Sequence, residues 1–347
     1  MLEMYKTNLE TNKTEKTTKY EKGNWINIIS PNEEEIEKVC NELKINDDFI
    51  RYALDNEEKA RIDIEEEDNT ILFIIDIPIR EKESDSLIYT TMPIGIIFVR
   101  DDYLITVSIK ENNIIQNLIK NNLKNIITYK KSRFLLQLLY ENSSMYLNLL
   151  KKINKETEIA ESILKNSMKN KALLKLLNLE KSLVYFATSL KSNEVVMEKT
   201  MRGKIIKLYE EDEDILEDAI IENKQAIEMA KIYNDILNGT MDAYASIISN
   251  NLNIVMKFLT SITIILSLPT MIASFWGMNV PVPLQNSSYG FVILIAVSVI
   301  VSFIATMWLN KRDMLKWIVK ILLLWKKQLN NKSIKCRKMN ILYNENF

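Results

Sequence analysis

Residues 258–310 read FLTSITIILSLPTMIASFWGMNVPVPLQNSSYGFVILIAVSVIVSFIATMWLN and contain no Asp, Glu, Lys or Arg. The stretch divides into two apolar spans, 258–276 and 290–309, separated by Gly277-Met278-Asn279-Val280-Pro281-Val282-Pro283-Leu284-Gln285-Asn286-Ser287-Ser288-Tyr289. Each span approaches the roughly 20 apolar residues with which a helix crosses a bilayer core of about 30 Å. Two prolines in the break and Gly290 at its end rule out one continuous element. The expectation is a pair of membrane helices joined by a short polar hairpin.

Outward from the first span runs a second pattern. Ser246, Ser249, Asn253, Met256, Thr260, Thr263, Ser267, Thr270, Ser274 and Gly277 follow one another at spacings of three and four. That spacing places them on one helix face, at a mean period suited to a supercoiled bundle. Apart from Met256 the face is small or polar, while Leu259, Ile262, Ile264, Ile265, Leu266, Leu268 and Ile272 fill the others. Single hydroxyls of this kind often bond back to their own helix, and small residues let helices pack closely. A whole run ending at a Gly-Met-Asn corner reads instead as the wall of a polar pathway, with several copies around an axis.

The 45 basic and 46 acidic residues nearly cancel, so no overall field points to nucleic acid. With no histidine in the chain, a metal here would be held by oxygen. Cys40 and Cys336 form no metal-spaced pair and read as reduced thiols. The N-terminus shows no signal-peptide pattern. Lys257 precedes the first span, Lys311, Arg312, Lys316 and Lys320 follow the second, and the break carries no charge. The positive-inside rule then expects a multi-pass protein of the cell membrane with both termini in the cytoplasm.

The remaining chain divides by pattern. Residues 1–22 read as a polar tail with a short strand near Met4. Residues 23–130 read as a cytoplasmic α/β domain: strands at 24–29, 61–65, 71–79, 93–99 and 103–108, and helices at 32–43, 47–54 and 113–123. Glu33, Glu34 and Glu35 suit the first turn of the first helix. Long antiparallel helices follow over 131–203. A stalk helix, 204–276, carries the apolar seam Ala226, Ala230, Tyr233, Leu237, Met241, Tyr244 and Ile248 into the first span without a breaker. From the mid-210s to Trp276 it would be on the order of 90 Å long and would need lateral partners. Residues 310–347 form a basic tail whose apolar run, 317–325, suits the membrane interface, while Lys326, Lys327, Lys332, Lys335, Arg337 and Lys338 suit anionic lipid.

Glu210, Glu211, Asp212, Glu213, Asp214, Glu217, Asp218 and Glu222 crowd the start of the stalk. Most of them read as a solvated helix start; together they could also form a weak divalent-cation site completed by subunit contacts.

Gly277-Met278-Asn279 between two terminal spans resembles the signature of the CorA family of magnesium transporters. Ser249-Asn250-Asn251-Leu252-Asn253-Ile254-Val255-Met256-Lys257-Phe258-Leu259-Thr260 and the segment 268–279 are also similar to family sequence, and the order of parts agrees over about 23–313. The resemblance implies an α+β cytoplasmic domain, long helices and a two-helix transmembrane hairpin, assembled as a homopentameric CorA-like channel and not an enzyme. It implies a selectivity filter at Gly277, Met278 and Asn279. It also implies a pore lined by Asn253, Met256, Leu259, Thr263, Ser267, Thr270 and Ser274. Asp218 falls on a regulatory Mg2+ ligand, with a second ligand from a neighbouring subunit for which Glu81, Glu83 and Asp85 are candidates. Mg2+ would be both cargo and regulator, with Co2+ or Ni2+ as secondary ions. Trp276 departs from the Tyr common before the signature, Ser267 replaces a bulky pore residue of some relatives, and the loop lacks an acidic residue. A Zn2+ transporter of the same superfamily and a non-conducting membrane sensor of divalent cations are the alternatives. The absence of histidine and the intact Met278 weigh against zinc, and no phosphate loop or nucleophile–base pair supports an enzyme.

Overall fold

The structure, a computed structural model, describes residues 1–315 other than 12, 84–85, 101, 123–125, 168–169, 204, 284–288 and 313. The basic tail beyond Leu315 therefore lies outside the described residues, as do Asp85 and the side chain of Glu83. The chain separates into two units, 1–241 and 242–347, with the boundary inside one long helix.

In the first unit seven strands form one mixed sheet in the order β2-β1-β3-β7-β6-β5-β4. They are β1 (Leu2–Thr7), β2 (Thr14–Thr17), β3 (Asn24–Ile29), β4 (Arg61–Glu65), β5 (Thr70–Glu83), β6 (Ser86–Val99) and β7 (Tyr103–Ser108). All neighbours are antiparallel except β3 and β7. Residues 1–22, expected as a polar tail, thus supply an edge hairpin. Its short strand β2 carries Glu15 and Lys16, a charged edge that resists further pairing. Alternation along the strands gives the sheet two apolar faces. One face, with Leu72, Ile74, Ile97, Val99, Ile105 and Val107, packs on α1 (Glu33–Leu43) and α2 (Asp48–Tyr52). Gly95 permits that approach, since a Cβ there would stand 2.5 Å from the Cβ of Ala53. The other face, with Phe73, Ile75, Ile77, Ile94, Ile96 and Phe98, packs on the long helices. These are α3 (Asn113–Asn122), α4 (Lys131–Ser167), α5 (Asn170–Arg202) and the start of α6 (Glu210–Trp276). Trp25 anchors this layer between Tyr5 and Phe134, with centroids 5.0 and 4.9 Å away, and donates its indole N–H to Thr106.

Both central hairpin strands run longer than their apolar runs suggested, through Pro78 and Pro93. The pairing explains why these prolines are tolerated. Pro93 lies one residue beyond the last pair with β7, Ile94 with Ser108, so it has no ladder bond to lose. Across from it, Asp76 turns its backbone towards the helices. Pairing of β5 with β4 stops at Ile74, opposite Arg61, and beyond it the amide of Asn193 on α5 takes the place of a partner strand. Asn193 accepts from Asp76 N at 2.8 Å and donates to Asp76 O at 2.7 Å. Asn142 and Tyr146 on α4 donate to the same carbonyl.

The second unit contains the rest of α6 and α7 (Gly290–Lys311). Both helices are long and apolar enough to cross a membrane. Only 6% of the apolar window in α6 and 11% of that in α7 is buried, the opposite of a soluble core helix.

Candidate functional site

Along α6 from Ile254 to its end the covered positions are Ile254, Phe258, Ser261, Ile262, Ile265, Leu268, Pro269, Ile272 and Trp276, with Ser261 fully buried. At about 100° per residue they share one face. Asn253, Met256, Leu259, Thr263, Ser267, Thr270 and Ser274 fall on the opposite face, and every one is exposed. The sequence-derived stripe is therefore a real surface of one chain, with the apolar Met256 and Leu259 at 53% and 57% exposure within it. Four hydroxyls along the stripe are bonded within the helix. Thr260 donates to Met256 O at 2.9 Å, Thr263 to Leu259 O at 2.9 Å, Ser267 to Ile264 O at 3.0 Å and Thr270 to Leu266 O at 3.0 Å. Each spends its proton on the helix and keeps oxygen lone pairs outward, so the face offers acceptors to a hydrated cation.

The helix ends at the tripeptide. Gly277 N still bonds Ala273 O at 3.0 Å and Met278 N reaches Phe275 O at 3.5 Å, after which the backbone leaves the helix. Gly277, Met278 and Asn279 are all exposed, and the carboxamide of Asn279 has left the last helical turn. The indole N–H of Trp276 donates to Pro283 O at 3.0 Å, spanning the tripeptide. Sequence reading noted Trp276 only as a departure from a family pattern and missed this bond; no periodicity could signal it.

The acidic stretch at the start of α6 is divided by its partners. Arg133 at the start of α4 forks onto Asp212, with Nε 2.8 Å from Oδ1, and onto Glu211, with a terminal nitrogen at 2.6 Å. Asp212 is buried, and the guanidinium holds the Glu211 carboxyl below its usual range. Asp218 is exposed and lines a cavity with Leu118, Gln137, Tyr140, Glu141 and Ile215. Tyr140 has its phenol pushed up by Glu222 first and then by Asp218 and Glu141, so this corner is electronegative. Among the described residues no three His, Cys, Asp or Glu side chains converge to hold a metal within one chain. Glu81 is ion-paired with Lys110 of its own chain.

Comparison with known proteins fits this architecture. The cobalt/magnesium transport protein CorA of Methanocaldococcus jannaschii is 30% identical over 285 residues, 81% of this chain and 87% of its own. The protein of the same name from Thermotoga maritima is 28% identical over 209 residues, 56% of this chain and 55% of its own. Among solved structures, the complete CorA magnesium transporter of M. jannaschii matches with a TM-score of 0.74 at 26% identity, covering 88% of this chain and 96% of that one. The model of the family described as CorA-like Mg2+ transporter protein matches residues 20–312. With the two-faced sheet, the long helices and the exposed stripe leading to Gly-Met-Asn, the chain belongs to the CorA-like Mg2+ transporter family.

Proposed function

We propose that this chain is one subunit of a homopentameric channel of the cell membrane that admits divalent cations, with Mg2+ as principal cargo and Co2+ or Ni2+ as secondary ions. The observation that carries this reading is the polar stripe of α6, exposed on the face opposite its covered one and ending at Gly277-Met278-Asn279. In this reading Asn253, Met256, Leu259, Thr263, Ser267, Thr270 and Ser274 of five subunits line the pathway, α7 stands outside it, and both termini are cytoplasmic. The Gly277 carbonyl and the Asn279 carboxamides form the filter.

The chemistry suits the ion. Mg2+ is small, demands octahedral oxygen geometry and releases water reluctantly. A ring of neutral amide oxygens accepts hydrogen bonds from its coordinated waters without removing them, and binding stays weak enough for the ion to leave. An inside-negative potential supplies about 4.6 kcal/mol per 100 mV for a divalent ion, twice the single-charge value. Cytoplasmic Mg2+ at Asp218 and a carboxylate of the neighbouring subunit favours the closed state and limits influx.

Reconstituted into liposomes with a trapped Mg2+ indicator, the wild type should show entry that rises with inside-negative potential. Asn279→Ala should lower that entry or alter its selectivity. Voltage-independent leakage, or no entry at all, would refute the channel; entry identical in the variant would refute the filter assignment.

A further inference from the structure

We infer that Trp276 is the positioning residue of the Gly277-Met278-Asn279 corner, its indole clasping the loop that presents Asn279. The inference rests on the filter reading above. The bond closes a span of seven residues, from the last residue of α6 to Pro283. Among the described residues little else holds its shape. Beyond Met278 no backbone hydrogen bond joins residues 279–283 to another described residue. Pro281 and Pro283 have no N–H to donate, yet their fixed φ makes the far side of the span stiff. A stiff strap fixed at one end by the helix and at the other by one side-chain bond leaves Asn279 little freedom.

The residue type matters. Indole offers a single donor and no acceptor, so it can reach a carbonyl without competing for the cation or its waters. The acceptor is a backbone oxygen, so replacing Pro283 itself removes no partner. The ring of Trp276 is half-covered, while its bond to Pro283 O lies at the surface. Loss of one such bond shifts the closed-to-open ratio of the strap by roughly five- to tenfold. Because the carboxamides of several subunits must converge on one ion, the loosened strap costs discrimination more than it costs permeation.

The test uses full-length protein in liposomes, with Mg2+ and Ca2+ entry measured separately for wild type, Trp276→Phe, Trp276→Tyr and the control Trp308→Phe on α7. Trp276→Phe, which keeps an aromatic ring but no donor, should lower the Mg2+/Ca2+ entry ratio about fivefold or more. Trp276→Tyr should recover part of it, and Trp308→Phe should leave it unchanged. A ratio in Trp276→Phe equal to wild type overturns the inference. Hydrogen exchange of the Trp276 indole, assigned by the resonance lost in Trp276→Phe, gives a readout independent of conduction and of the filter assignment. Slow exchange relative to Trp308 supports the clasp, and exchange as fast as a free indole overturns it even where Asn279→Ala fails to alter transport.

Discussion

Asp76 shows how one residue can carry a conflict that the fold resolves. It interrupts the apolar run of β5, and its carboxyl lies buried against Ser189 on α5 and beside the phenol of Tyr146 on α4. Burial pushes its pKa up to about 6. A carboxylic acid whose folded pKa lies above its unfolded one binds its proton more tightly in the native state. It therefore destabilises the fold as pH rises from about 4 to about 6, fully above that window and not at all below it. Asp76→Asn should raise thermal stability at pH 8 by an amount on the order of 3 kcal/mol, with the gain fading to nothing below pH 4. Thermal unfolding of both proteins across pH 4–8 checks it; parallel curves would mean that the carboxyl titrates normally. The sequence displayed Asp76 as an interruption but gave no reason for it. Asn193, Asn142 and Tyr146, far away in sequence, satisfy the backbone of residue 76 where β5 has run past β4, whatever side chain stands there.

Among the elements, the first turn of α6 is fastened to the first turn of α4 by one guanidinium. Arg133 forks onto the buried Asp212 and the exposed Glu211, whose side chain is 82% accessible. The two halves of the fork differ in worth. In the pair with Asp212 the carboxylate is buried and the guanidinium is a quarter exposed, so removing the cation leaves a buried acceptor short of its partner at a cost of about 1–3 kcal/mol. The contact with Glu211 faces solvent and is screened by it, so it contributes little. Arg133→Met should therefore lower the unfolding midpoint clearly, Glu211→Gln hardly at all, and Arg133→Met with Asp212→Leu should recover most of the loss. Chemical denaturation of the three variants decides it, and equal effects of the two single changes would contradict the fork. Read as sequence, Asp212 was one member of an acidic run; burial and a partner 79 residues away set it apart.

For the whole molecule, the unpartnered stripe of α6 is the governing fact. The stripe hydroxyls within the span are satisfied by their own helix, so hydrogen bonding alone does not forbid lipid contact; the proposed pathway is what calls for lateral copies of this face around a water-filled axis. Native mass spectrometry of the detergent-solubilised protein, backed by graded chemical cross-linking, should give five subunits. A monomer or dimer as the only species would remove the pathway, since two stripes cannot enclose one.

The sequence by itself determined the order of parts, the two membrane-length spans, the face of α6 that carries the stripe and the place of the Gly-Met-Asn corner. Those features are written in periods of three and four, in runs without charge and in breakers, all of which are local along the chain. Only the tertiary structure decided that residues 2–17 complete the sheet, that β5 runs on to Glu83 and β6 begins at Ser86, and that Arg133 takes two of the clustered acids. It alone closed Trp276 onto Pro283. Each of these depends on which distant group satisfies a backbone or charged atom, and a hydrogen bond leaves no period in sequence by which its partner can be found.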